Sequence, residues 1–91
     1  MDCLVHNIAD NVGVVLHDVI DCEVLAVSCL EDSNTFSLAA HGEVPANFKI
    51  SLSDIRAGEH VVEYGESIGR ATSFISKGEQ VHIHNVKSLR L

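Results

Sequence analysis

"DIRAGEHV", residues 54 to 61, decides the fold, because the chain nearly repeats it as DVIDCEVL at 18 to 25 and as FISKGEQV at 74 to 81. Each copy has an apolar second residue, an acid in sixth place and a valine in seventh or eighth. In the last two copies a glycine precedes the acid, as expected where the backbone turns with positive φ before a strand begins. Cys22 takes that place in the first copy. Three similar turn-then-strand segments predict a folded-over β unit.

The rest of the chain agrees. CLVH, VGVVLHDV, EVLAVS, TFSLAA, FKISL, HVVEYG, SIGRATSFI and QVHIHNV are short, rich in β-branched residues and separated by turn-like breaks, a pattern that favours strands over helices. Gly42, Gly58, Gly65, Gly69 and Gly78 punctuate them, and DSN at 32 to 34 reads as a hairpin tip. Only SLSDI, 51 to 55, has the character of a helix start, with Ser51 or Ser53 as cap, and it has room for one turn. The expected fold is mainly β, a small single domain over residues 1–91 with short helical turns.

At 91 residues, 46% of them apolar, the chain can build one modest core and no second domain. Ligand pockets usually form where elements or subunits meet, so a partner chain is expected. A formal charge of −7 would repel a phosphate backbone, which argues against nucleic acid. No apolar run approaches the ~20 residues that cross a bilayer, and MDCLVHNIADN lacks the basic and apolar regions of a signal peptide. The expectation is a soluble cytoplasmic protein with no membrane association. Cys3, Cys22 and Cys29 show no CxxC pairing and read as core residues or idle thiols.

Histidines carry the first chemical signal. If GEQVHIHN, 78 to 85, is extended, His82 and His84 project from one face with Cα atoms ~7 Å apart and both reach one divalent metal ion. Val81, Ile83 and Val86 would then be core, with Asn85 facing solvent or a partner. Two imidazoles alone make a weak site, and His6, His17, His41 and His60 are candidate third ligands. In EYGESIG, 63 to 69, Tyr64 and Gly65 predict a tight hairpin with a packed tyrosine; alternatively Gly65 and Gly69 bring backbone N–H groups to an anion. Glu59 and Glu63 read as a solvated face. Six histidines also leave open a pH-responsive surface.

DNVGVVLHDV (10 to 19), VPANFKISLSDIRAGEHVVEYGESIGRA (44 to 71) and KGEQVHIHNV (77 to 86) together resemble the small SAF-type domain of the altronate and galactarate dehydratase family, which includes the small subunit of sulfolactate sulfo-lyase. The similarity covers about residues 10–86. It implies a β-clip fold, a much larger catalytic subunit or domain as partner, and a sugar-acid substrate from which water, or sulfite in the sulfo-lyase branch, is eliminated. It also implies a divalent metal ion. His82 and His84 would line the shared site as ligands or as acid and base, with Asn85, Tyr64, Gly65 and Lys49 as substrate contacts.

Two departures stand out. Asn47, Phe48 and Lys49 occupy a stretch that is commonly Gly-His-Lys in the family, and Glu63 stands where a lysine or arginine commonly precedes Tyr-Gly. Such changes would fit a different substrate, or the alternative of a non-catalytic carbohydrate-binding or assembly module of SAF type. Homo-oligomerisation through exposed strand edges is also possible.

Overall fold

A computed structural model describes residues 1–88, which hold nine strands and no helix. Strands β1 (Cys3–Val5), β2 (Val12–Val15), β3 (Val24–Cys29), β4 (Thr35–Ala39), β5 (Lys49–Ser51) and β8 (Gln80–Val81) form one sheet in the order β4-β3-β1-β2-β5-β8. The pairs are antiparallel except β1 with β3. A smaller antiparallel sheet has the order β6-β7-β9, from β6 (His60–Glu63), β7 (Glu66–Ala71) and β9 (Val86–Ser88). Among the described residues no helix is long and apolar enough to cross a membrane.

The repeat is a structural module. Its fifth residue has positive φ in each copy, at Cys22 (68°), Gly58 (86°) and Gly78 (88°). Its acid folds back to accept the N–H three residues earlier: Glu23 from Ile20 (3.2 Å), Glu59 from Arg56 (2.6 Å) and Glu79 from Ser76 (2.9 Å). The backbone N–H of the same acid donates to the carbonyl of that earlier residue. Side chain and main chain thus close one turn together, as in a capping box.

A fourth copy escapes the sequence pattern. In EVPANFKI, 43 to 50, Asn47 takes the positive φ (71°) and Phe48 N–H donates to the Pro45 carbonyl at 3.1 Å. Proline has no N–H to cap, so the sixth position needs no acid and Phe48 fills it. All four copies clasp a small buried residue in the same way. The fifth-position N–H donates to the carbonyl of Ala40, Ala71, Ser51 or Val15, whose own N–H donates to the sixth-position carbonyl.

The copies associate in pairs. Val19 bridges Val44, and Ile55 bridges Ile75. In each pair the leading aspartate caps its partner turn, Asp18 accepting from Ala46 N–H and Asp54 from Lys77 N–H, both at 2.8 Å. Each pair has its own core. Val19, Leu25, Val44 and Ile50 belong to one cluster, and Ile55, Val61, Ile75 and Val81 to the other. Burying each of these side chains contributes roughly 2 kcal/mol, against about 1 kcal/mol for a net hydrogen bond. The apolar second and eighth positions therefore drive the module, and the acid selects its geometry.

Three local expectations are corrected. SLSDI forms no helical turn: the Ser51 hydroxyl donates to the Ser53 carbonyl, and Ile55 leaves in its β-bridge. Gly69 does not break a strand but lies within β7, where a Cβ would stand 2.6 Å from the Lys87 carbonyl oxygen of β9. The last apolar stretch is two strands, β8 and β9, in different sheets. The hairpin tip at 32 to 34 is as expected, with Asn34 N–H donating to Asp32.

Candidate active site

What separates β8 from β9 is a turn built from the histidine motif. Asn85 N–H donates to the His82 carbonyl (3.0 Å), His82 N–H donates to Asn85 Oδ1 (2.9 Å), and Asn85 Nδ2 donates to the Gln80 carbonyl (2.8 Å). Asparagine substitutes for backbone in such turns, so β8 stops at Val81. The expected extended arrangement of His82 and His84 is therefore overturned. Ile83, expected in the core, is 81% exposed, whereas Asn85, expected to face outward, is 4% exposed and staples the turn from below.

His82 nevertheless reaches a site. An open cleft of about 270 Å³ lies between the two sheets, with His82, Ile83 and Val81 on one side and Ile68, Val86 and Ser88 of the small sheet on the other. Lys49 and Glu63 supply its charge. The register of β5 against β8 pairs Lys49 with Val81, which brings the lysine beside the turn. Its Nζ lies 3.6 Å from Oε1 of Glu63. Glu63 is not on a solvated face, as expected, but is 9% exposed. Phe48, the other departure, sets its ring edge-on to the His82 imidazole, with centroids 4.8 Å apart. Glu63 thus lines the cleft, and Phe48 touches its histidine without lining it. His84 lies on the exposed turn and does not line the cleft.

Tyr64 and Gly65 form the two-residue turn between β6 and β7, both with positive φ (55° and 73°), as the hairpin expectation required. The tyrosine is not packed inside. It is 64% exposed and stacks on His6, with centroids 4.1 Å apart. Of the two glycines offered for an anion, Gly65 already has its N–H engaged: Asp10, nearly buried, accepts from it (2.8 Å) and also from Tyr64 (3.1 Å) and Asn7 (3.1 Å). A positive φ at tyrosine is costly and persists only when its surroundings impose it, and Asp10 is that constraint. Nothing local to Asp10 in the sequence points to a turn more than fifty residues on.

The candidate third ligands are dispersed. Asp2 and the Asp18 carbonyl hold His17, Ser67 holds His60, and Tyr64 stacks on His6. His41 is exposed. Among the described residues no three His, Cys, Asp or Glu side chains gather as a metal site.

The comparisons with known proteins follow the same outline. The profile of the altronate/galactarate dehydratase SAF domain matches residues 1–89, which adds β1 to the similarity read from the sequence. The (2R)-sulfolactate sulfo-lyase subunit alpha of Chromohalobacter salexigens is 32% identical over 91 residues, covering 99% of this chain and 97% of that protein. Its namesake in Paracoccus pantotrophus is 36% identical over 59 residues, 65% of this chain and 88% of that one. The altronate dehydratase of Escherichia coli is 35% identical over 79 residues, 87% of this chain but 15% of that enzyme.

Proposed function

This chain belongs to the altronate/galactarate dehydratase SAF-domain family, and from that premise we propose that it is the small component of a lyase whose elimination site is completed by a larger catalytic chain. The observation that carries the reading is the end-to-end correspondence with a sulfo-lyase subunit alpha, 99% of one chain on 97% of the other. The cleft supports it, because it is open to solvent and presents His82 and Lys49 together on an apolar floor.

The substrate class is a 2-hydroxy acid with a hydroxyl or sulfonate leaving group on the neighbouring carbon. Elimination removes the proton from the carbon beside the carboxylate, the leaving group departs with its bonding electrons, and the enol tautomerises to a 2-keto acid. Imidazole exchanges protons near neutral pH, so His82 acts as acid or base at the cleft wall. Lys49 offers its ammonium to the substrate carboxylate. Because Glu63 lies 3.6 Å from it, that cation is already balanced, and Glu63 confronts substrate as half of an ion pair rather than as a bare like charge. Phe48 packs against the exposed imidazole. A divalent ion, when bound, would supply positive charge opposite the carboxylate as its neighbouring proton leaves. On this chain His82 would be the donor that faces the cleft, in place of its acid or base role, and the remaining ligands would come from the partner.

Co-expression with the large lyase chain of its own organism tests the reading. The assay follows sulfite release from (2R)-sulfolactate and 2-keto acid formation from altronate and galactarate. Turnover is expected only with both chains present, and His82→Ala lowers kcat by about 100-fold or more with the complex intact. Absence of association together with absence of turnover on all three acids would refute it and favour the non-catalytic module.

A further inference from the structure

We propose that Ile83 is the anchor by which this chain docks onto its large catalytic partner, as an apolar knob seated in a socket on that chain. The inference rests on the lyase reading and adds the surface through which it operates.

Ile83 is 81% exposed, more than any other large apolar side chain among the described residues. A loose loop would make that unremarkable, but this turn is closed by three hydrogen bonds to the nearly buried Asn85. A β-branched side chain on a pre-formed turn loses little freedom when a partner covers it, which is the condition for a strong interface anchor. The knob is also continuous with the cleft. Ile83 forms its outer wall, and Val81, Ile68 and Val86 extend the apolar surface inward.

The occupant follows from the site. Excluding water strengthens the pull of Lys49 on an anionic substrate, and the cleft is open with Ile83 in its lining, so a polypeptide that covers it passes over Ile83. The related altronate dehydratase of E. coli carries this unit as 15% of its length, so its sequence includes a far larger body of protein to lie against it. The sulfo-lyase relative is named as one subunit of its enzyme. A second copy suits the place poorly, because a twofold contact through Ile83 would bring the two clefts together and shut out the catalytic chain. His82 and His84 flank the knob and provide the polar rim typical of an interface hot spot.

The test uses the tagged chain co-expressed with the large lyase chain of its organism, reading out co-purification and the Kd of the isolated pair. Ile83→Asp is expected to weaken association at least ~30-fold and Ile83→Ala ~10-fold. Both variants should keep the thermal midpoint within about 2 °C, because the side chain is exposed. His82→Ala is expected to keep association while losing turnover. Wild-type affinity in both Ile83 variants would overturn the anchor and leave the lyase reading standing. The same holds if the variants lose only a self-dimer while still binding the large chain. Failure of the wild type itself to bind would bring down both.

Discussion

Pro45 shows how much one residue type can decide. In three turn copies the third residue donates its N–H to a glutamate; proline has none, so the fourth copy is released from the acid and Phe48 can turn its ring toward His82. The one turn free of a capping glutamate is thus the one whose sixth side chain packs against the histidine of the candidate site. The cysteines divide by burial as clearly. Cys3 lies in the first core, where burial, with Asp2 beside it, pushes its thiol up to about 12. Cys29 is also buried, while Cys22 is exposed at a positive-φ turn. Labelling at pH 8 with an aromatic disulfide reagent is therefore expected to modify Cys22 in the native protein, and Cys3 and Cys29 only after denaturation. Rapid modification of all three thiols without denaturant would contradict this core. The reading of these cysteines as core residues or idle thiols was within reach of the sequence because it needed only the absence of a ligand pattern.

Among the elements, the turn-and-strand module was legible because its signals are local: an apolar residue, a left-handed position and an acid within eight residues. The histidine strand was misread for an equally local reason. QVHIHNV alternates like a half-buried strand, but Asn85 competes for the backbone N–H of His82 and ends it. The Lys49–Glu63 pair and the Asp10 contacts were illegible because they depend on strand order. The small sheet adds a conflict visible only in its register. His60 stands opposite Arg70, and Arg70 opposite Lys87, so three exposed basic side chains form a row across β6, β7 and β9. Among the described residues neither Arg70 nor Lys87 has an ion-pair partner, and like charges directly opposite destabilise a sheet. Lys87→Glu is expected to raise unfolding stability by about 0.5 kcal/mol in low salt, and the gain should shrink as salt is added. Urea melts at two ionic strengths measure it, and a loss of stability would show that the row is held apart by something else.

At the scale of the whole molecule, the two turn pairs make two small cores, and the segment before β2 clasps them. Asn11 donates its backbone N–H to the Val62 carbonyl and its Nδ2 to His60, while Oδ1 accepts from Val62 N–H; Asp10 holds the neighbouring turn. The acidity of the chain is therefore largely structural, since Asp10, Asp18, Asp21, Glu23, Asp54, Glu59 and Glu79 all accept backbone N–H groups. One such tie also titrates. His17 Nε2 lies 2.9 Å from Asp2 Oδ1 and its Nδ1 2.9 Å from the Asp18 carbonyl, so both ring nitrogens face acceptors and the imidazolium fits best. The Asp18 carbonyl, then Asp2, holds the His17 pKa above its ordinary 6.5. Ala26 N–H, then His17, holds Asp2 below its ordinary 3.8. A raised histidine stabilises fully below 6.5 and loses that contribution as pH rises through its folded value. A lowered carboxylate contributes above 3.8 and loses it as pH falls through its folded value. The tie is thus complete between about pH 4 and 6.5, and its effect is small because both groups are solvated. Thermal midpoints taken from pH 5.5 to 8 should fall more steeply in the wild type than in His17→Gln, with the two curves converging at the alkaline end. Equal slopes would mean that the ring sits between its two acceptors without being charged.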